Sequence, residues 1–129
     1  MILKKINYDQ LNARQKENYN YHKVASALAD YGYDCMRLNN DWQGADFIAV
    51  KGDDMLKVQL KSRFTLDKKY IGKDIYIGFR EDENIFLFDH DRAVEMWKHK
   101  LINRKAWTVD GIWHQKPYPK QFESIIIKL

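Results

Sequence analysis

The sequence predicts an α/β or α+β sandwich formed by a single domain. A helical pattern opens the chain, several short strand patterns occupy its middle, and a second helical pattern lies close to residue 100. Strands bounded by helices are typical of a sheet that buries its faces against those helices. The length of 129 residues, with 45% apolar and 31% charged residues, fits one folded domain. We expect a core over about residues 8–102 and a C-terminal hairpin and strand over about 106–129.

The first elements follow from apolar spacing and from glycine. Apolar residues at helical spacing predict a helix from Tyr8 to Tyr31, and Gly32 supplies its stop. Residues Tyr33 to Leu38 predict the first strand. The polar run NNDWQG after it predicts a loop.

A hairpin is predicted next, with the strands FIAV and LKVQLK joined by KGDDM. The second strand alternates strictly, so that its three apolar residues share one face and Lys57, Gln59 and Lys61 share the other.

Two registers are compatible with a two-residue turn in this hairpin. A turn at Asp53-Asp54 places Asp46 opposite Lys61, whereas a turn at Gly52-Asp53 places Asp46 opposite Gln59. Opposite residues of an antiparallel pair share a face. Either register therefore brings the acid, the amide and the lysine to one side of the sheet.

The second half of the chain contains further strand and helix patterns. Residues Lys68 to Asp74 predict a basic loop, and the runs IYIGF and NIFLF predict two further strands. The run HDRAVEMWKHKLINR predicts a second helix, capped by Asp89 or Asp91, with an apolar stripe. The stripe residues are Val94, Trp97 and Leu101.

The C-terminal tail is predicted to be rich in β-structure. The run WTVDGIWH contains an Asp-Gly pair, which favours a type I′ hairpin. The apolar ending SIIIKL predicts a last strand.

An acid, an amide oxygen and a lysine at one strand end suit phosphodiester hydrolysis. That reaction needs a cation to polarise the phosphate and to lower the pKa of the attacking water. Mg²⁺ prefers oxygen ligands and commonly keeps several waters. Asp46, Gln59 and the Leu60 carbonyl are candidate metal ligands, and Lys61 is a candidate for orienting the water or stabilising charge on the phosphate.

GADFIAV followed by VQLKSR resembles the core signature of the PD-(D/E)XK nuclease superfamily. The resemblance implies a restriction-endonuclease-like core, with a mixed central sheet flanked by two helices, and covers about residues 8 to 101. It implies that Asp46 is the principal metal ligand, Gln59 a second ligand and Lys61 the catalytic lysine. Ala45 stands in place of the motif's proline, and Gln59 in place of its more usual acid.

Many members of that superfamily also carry a glutamate on the first helix, turned towards the site. Glu17 is the candidate here because it shares helical spacing with Tyr21, Val24 and Leu28. The implied cofactor is Mg²⁺ or Mn²⁺. A salt bridge at the edge of the helix explains the same position of Glu17 nearly as well.

A net charge of +4 and a pI near 9.1 make an anionic partner plausible, with nucleic acid the leading candidate. The candidate nucleic-acid-binding residues are Lys57, Arg63, Lys68, Lys69, Lys73 and Trp42. A solvated sheet face and loop would carry the same basic residues, and a tryptophan there would more often pack over the sheet edge.

The compartment is expected to be cytoplasmic. Cys35 is the only cysteine, so no disulfide forms within the chain, and the sequence has no signal peptide or apolar run of spanning length. A homodimer is a further expectation, because such nucleases often cut both strands as dimers.

The function expected from these features is metal-dependent endonucleolytic hydrolysis of DNA. One alternative is a catalytically inactive module of the same fold that binds nucleic acid or a protein partner. A small interaction protein, whose aromatic tail meets a protein partner, is the other. The sequence separates neither DNA from RNA nor linear from branched substrates.

Overall fold

A computed structural model describes all 129 residues. The helices are α1 (Ala13–Ala29) and α2 (His90–Leu101). The strands are β1 (Asp34–Trp42), β2 (Ala45–Lys51), β3 (Asp54–Lys61), β4 (Phe64–Asp67), β5 (Ile75–Glu81), β6 (Asn84–Asp89), β7 (Ile112–Gln115) and β8 (Ile127–Lys128). Short 3₁₀ turns cover Tyr8–Gln10, Lys68–Tyr70 and Lys120–Phe122, and a π-helical segment covers Ala106–Asp110.

Six strands form one mixed sheet in the order β1-β2-β3-β5-β6-β8. The β3–β5 pair is parallel, and the other neighbours are antiparallel. Strands β4 and β7 pair separately as a two-stranded ribbon. The predicted mixed α/β architecture with two helices is therefore confirmed.

Helix α1 covers one face of the sheet. Asn12 caps its first turn by accepting a hydrogen bond from the Gln15 backbone N–H. Val24 and Leu28 of α1 are buried in a cluster with apolar residues of β2, β3 and β6. A Cβ at Gly78 of β5 would lie 3.2 Å from Val24, so the absence of a side chain allows the helix to approach the sheet closely.

Helix α2 packs on the opposite face, together with the β4–β7 ribbon. Asp89 caps α2 by accepting from the Arg92 backbone N–H, which settles the choice between the two predicted caps. Trp97 and Leu101 of the predicted stripe are buried, and Val94 is partly buried. This second layer contains stacked phenylalanine rings, with Phe64 4.6 Å from Phe88 between ring centroids.

The prediction of a loop over the run NNDWQG is wrong. Strand β1 continues to Trp42, with an irregularity in pairing between Arg37 and Trp42. Gln43 and Gly44 form the turn, both with positive φ, so that Trp42 pairs with Ala45. Asparagine and aspartate are unusual in strands, but this strand lies at the sheet edge, where an irregular polar segment is tolerated.

The predicted C-terminal hairpin is also wrong. Residues 106–110 are π-helical, and Gly111, with φ 77°, ends them in the left-handed conformation. In an Asp-Gly hairpin Trp107 would share a face with His114, and Trp113 would point to the other side. The helical segment instead lets Trp107 and Trp113 enter the same core cluster, so the tail is only partly β-structure.

The structure also differs from the prediction at the start of the first helix and after β3. The first helix begins at Ala13, preceded by a separate 3₁₀ turn, because Asn12 supplies the cap. Strand β4 was not predicted, and the basic loop after it contains the turn Lys68–Tyr70. None of the helices is long and apolar enough to span a membrane.

Candidate active site

A cavity of about 480 Å³ lies where β3 ends, beside the first half of α1. Its walls include every residue predicted to take part in catalysis or metal binding: Glu17, Asp46, Gln59, Leu60 and Lys61. The other lining residues are Tyr8, Ala13, Lys16, Asn20, Arg37, Leu38 and Ser62. Residues from α1, β1, β2 and β3 thus meet around one opening.

The hairpin adopts the second of the two predicted registers. Lys51 pairs with Asp54 across the Gly52-Asp53 turn, and Phe47 pairs with Val58. The same register places Asp46 opposite Gln59. Phe47 and Val58 are buried beneath α1, and the next residues towards the strand ends, Asp46 and Gln59, line the cavity.

Asp46 is held by the neighbouring strand. Its Oδ2 accepts a hydrogen bond from the Leu60 backbone N–H at 2.9 Å, while Oδ1 has no hydrogen-bond donor within the protein. Burial raises the pKa of Asp46 above its ordinary value, and the negative charges of Asp41 and Glu17 add to this effect. The Leu60 N–H and the charge of Lys61 act in the opposite direction. Asp46 is thus a partly buried carboxyl whose ionised form is stabilised by a nearby positive charge.

Lys61 lies among charges of both signs. Burial lowers its pKa, as does the positive charge of Lys69, whereas Asp67 and Asp46 raise it. The ammonium nitrogen lies 5.3 Å from the centroid of the buried Tyr70 ring. The ring and the two carboxylates favour the charged form, but burial and Lys69 outweigh them, so the pKa of Lys61 lies below its ordinary value.

Four oxygen donors of the kind that a hard divalent cation prefers belong to residues that line the cavity. They are the carboxylates of Asp46 and Glu17, the Gln59 amide and the Leu60 carbonyl. No cluster of three or more acidic, histidine or cysteine side chains is close enough to hold a metal by itself. A donor set with few carboxylates suits Mg²⁺, which keeps much of its water.

The amide orientation of Gln59 bears on that fit. Its Nε2 lies 3.4 Å from the Leu60 carbonyl oxygen, which is long for a hydrogen bond. Rotating the amide by 180° would place Oε1 there, so that two oxygens would face the same space. With the amide rotated in this way, the Gln59 Oε1 and the Leu60 carbonyl would both be available to one cation.

The predicted nucleic-acid-binding residues lie outside the cavity. Lys57 donates to the Gln43 Oε1 at 3.0 Å and lies 5.8 Å from the centroid of the Trp42 ring. Trp42 is 44% exposed at the hairpin turn. Lys68, Lys69, Lys73 and Arg63 are exposed on the segment after β3.

Two of those lysines already interact with neighbouring side chains. Lys69 lies 3.8 Å from the Asp67 carboxylate, and Lys68 lies 5.4 Å from the centroid of the Trp107 ring. The aromatic residues of the tail, considered above as a partner surface, belong instead to the core, since Trp107, Trp113 and Phe122 are buried.

Sequence reasoning missed several residues of the cavity wall: Tyr8, Lys16, Asn20, Arg37 and Ser62. Lys16 and Asn20 lie next to Glu17 or one turn beyond it, so helical spacing alone was a usable signal. Arg37 offered no such signal, because its place depends on how α1 packs across β1.

The sequence matches no known protein-family model. No curated protein shows significant similarity to it either.

Proposed function

We propose that the protein is a metal-dependent endonuclease that hydrolyses DNA phosphodiester bonds in the cavity at the end of β3. The observation that carries the proposal is the meeting of Glu17, Asp46, Gln59 and Lys61 around one opening. These residues come from a helix and two strands, and the acid–Gln-x-Lys pattern resembles the PD-(D/E)XK signature. A restriction-endonuclease-like core is part of this proposal.

A divalent cation bound by these oxygens would supply an acidic water and polarise the phosphate. Asp46 would offer its carboxylate to the cation, with Oδ1 accepting no hydrogen bond and Oδ2 accepting one from the Leu60 N–H. Gln59 and the Leu60 carbonyl would offer neutral oxygens. Glu17, exposed at the rim, adds negative charge from the helix side.

Lys61 provides the positive charge that the transition state requires. Negative charge builds up on the phosphate oxygens as water attacks in line with the leaving oxygen. The Lys61 ammonium lies 5.3 Å from the centroid of the buried Tyr70 ring and is attracted by the charges of Asp67 and Asp46. In this position it would stabilise the charge that develops on the phosphate.

The decisive test is cleavage of supercoiled plasmid in Mg²⁺ or Mn²⁺. We expect nicking by the wild type, no nicking in EDTA, and a loss of roughly 100-fold or more in Lys61→Ala, the size expected for a lost electrostatic group. Lys105→Ala is the matched control, because Lys105 is exposed and lies outside the cavity. It should lose at most a few-fold.

Two outcomes would contradict the proposal. Lys61→Ala with an unchanged thermal unfolding curve and full nicking would remove Lys61 from the mechanism. Absence of nicking by folded wild type in both metals would favour a module that binds nucleic acid without cutting it. Gln59 favours this second candidate, since it leaves the site one carboxylate short of the usual pattern.

A further inference from the structure

Three cations beside the cavity have no acidic partner. Lys16 and Arg37 line the cavity itself, and Lys23 lines an adjoining cavity that shares Tyr8 with it. None of the three lies within 4.0 Å of a carboxylate, in contrast to Lys69 and Lys98. Their charges are therefore free to meet an anion that enters from solvent.

Tyrosine rings hold the two lysines in place. The Lys16 ammonium lies 5.4 Å from the centroid of Tyr8, and the Lys23 ammonium lies 5.3 Å from that of Tyr19. Lys16, Tyr19 and Lys23 follow one another at i, i+3 and i+7, so they form one stripe along α1. The amide of Asn20 donates to the Tyr8 hydroxyl at 3.0 Å and fixes the first ring.

These rings are not free to stack on bases. Tyr8 and Tyr19 pack edge to face at 5.1 Å, and the Arg80 guanidinium lies 4.7 Å and 5.4 Å from their centroids. Arg80 is mostly buried and lies 3.8 Å from Glu83, so it supports the rings and is not available to a ligand. The stripe therefore presents ammonium groups and no open aromatic surface.

Arg37 lines the cavity from β1 and is held by two residues of α1. Its Nη1 donates to the Asn18 Oδ1 at 2.6 Å, and its guanidinium lies 4.9 Å from the centroid of Tyr21. A guanidinium has five N–H donors, and most of those on Arg37 remain free in this exposed position. Such a fixed fork suits the oxygens of a phosphate.

We propose that Lys16, Lys23 and Arg37 form a phosphate-binding track that holds the nucleic-acid backbone on both sides of the cavity. The proposal rests on the cavity's assignment to phosphodiester hydrolysis and names the groups that position the substrate there. Since these groups meet phosphates and not base edges, binding should be independent of sequence.

The test is the salt dependence of DNA binding in EDTA, where the proposed cleavage is blocked. Fluorescence anisotropy of a labelled duplex would be followed from about 50 to about 200 mM NaCl. Each lost phosphate contact should reduce the slope of log K against log salt by roughly 0.9, so Lys16→Gln/Arg37→Gln should lose roughly 1.8. Adding Lys23→Gln should reduce the slope further.

Lys105→Gln/Lys120→Gln is the matched control, since both lysines are exposed and lie outside the two cavities. Its slope should equal that of the wild type. An unchanged slope in Lys16→Gln/Arg37→Gln, or an equal loss in the control, would overturn the track. Failure of the wild type to bind duplex DNA at the lowest salt would overturn it as well.

The two proposals fail separately in these experiments. Binding that depends on Lys16 and Arg37, without nicking in Mg²⁺ or Mn²⁺, would support the track and overturn the nuclease assignment. Nicking that depends on Lys61, together with an unchanged salt slope in Lys16→Gln/Arg37→Gln, would support the nuclease and overturn the track.

Discussion

At the scale of single residues, the charge of the candidate site depends on Gln59. A carboxylate at this position would give the cavity a third acid beside Asp46 and Glu17. The amide lowers the attraction for a cation but also leaves Asp46 with one fewer like charge nearby, when burial already raises its pKa. Compared with a carboxylate at this position, Gln59 therefore lowers the affinity of the site for a cation and makes Asp46 easier to ionise.

Gln59→Glu should therefore strengthen metal binding. We expect the Mg²⁺ concentration for half-maximal nicking to fall roughly tenfold, equivalent to about 1.4 kcal/mol. Calorimetric titration with Mn²⁺ measures the same gain without relying on activity. Gln43→Glu, which adds the same charge outside the cavity, should leave both values unchanged. Equal or weaker metal binding by Gln59→Glu would show that Gln59 is not a ligand.

Residue-level features were predictable where alternation or helical spacing fixes the facing of a side chain. Asp46, Gln59 and Lys61 belong to one tight hairpin, and Glu17 follows the stripe of α1, so local periods were sufficient to place all four. Arg37 reaches the cavity only through the packing of α1 across β1. No local pattern encodes that contact.

At the scale of elements, the site depends on the two turns that border β2. The Gly52-Asp53 turn sets the register with β3, while the Gln43-Gly44 turn joins β1 to β2 just before Asp46. Gly44 has φ 89°, and a Cβ there would lie 2.9 Å from the Tyr70 ring. That ring is buried and supports Lys61, so it has little room to move.

Gly44→Ala should be more destabilising than Gly52→Ala. Both glycines have positive φ, but a Cβ at Gly52 would meet nothing within 4 Å. Backbone strain alone should cost Gly52→Ala about 1 kcal/mol, whereas the added clash should bring Gly44→Ala to about 2–4 kcal/mol. Urea unfolding measures both values. Equal costs would mean that the Tyr70 ring moves aside for the added methyl group at little cost, which would contradict its close packing against Gly44.

Contacts between elements also explain which elements the sequence did not predict. The edge strand β1 carries polar residues that are typical of loops, and only its pairing with β2 makes residues 39–42 a strand. The Asp-Gly pair at 110–111 is compatible with a hairpin turn and with a helix end. Burial of Trp107 and Trp113 in a common core decides between them, and that is a tertiary effect.

At the scale of the whole molecule, a buried hydrogen bond joins the β4–β7 ribbon to α2. The fully buried His90, the first residue of α2, accepts a hydrogen bond at Nε2 from the Asp67 backbone N–H at 3.0 Å. Nδ1 lies 3.5 Å from the Asp91 carboxylate. An acceptor Nε2 requires a neutral ring, so protonation of His90 would break the link between the two elements.

This link makes stability sensitive to mild acid. Burial lowers the pKa of His90 below its ordinary value of 6.5, although its hydrogen bond to Asp91 and the charges of Asp91, Asp67 and Asp89 oppose the shift. The His90 ring therefore takes up a proton near pH 6.5 in the unfolded chain, whereas in the folded protein it takes one up only at lower pH. Stability is full above that pH and falls as the pH drops towards the folded pKa.

We expect the free energy of unfolding of the wild type to fall by about 1 kcal/mol between pH 7 and pH 5.5 through His90 alone. His90→Gln, which keeps an acceptor, should lose most of this dependence even if it is less stable throughout. His99→Gln, at an exposed position of the same helix, should retain it. Asp46, whose pKa is raised, makes a contribution of opposite sign that is common to all three proteins. Denaturant unfolding at both pH values measures the difference, and equal pH dependence in wild type and His90→Gln would show that His90 has the same pKa in the folded and unfolded states.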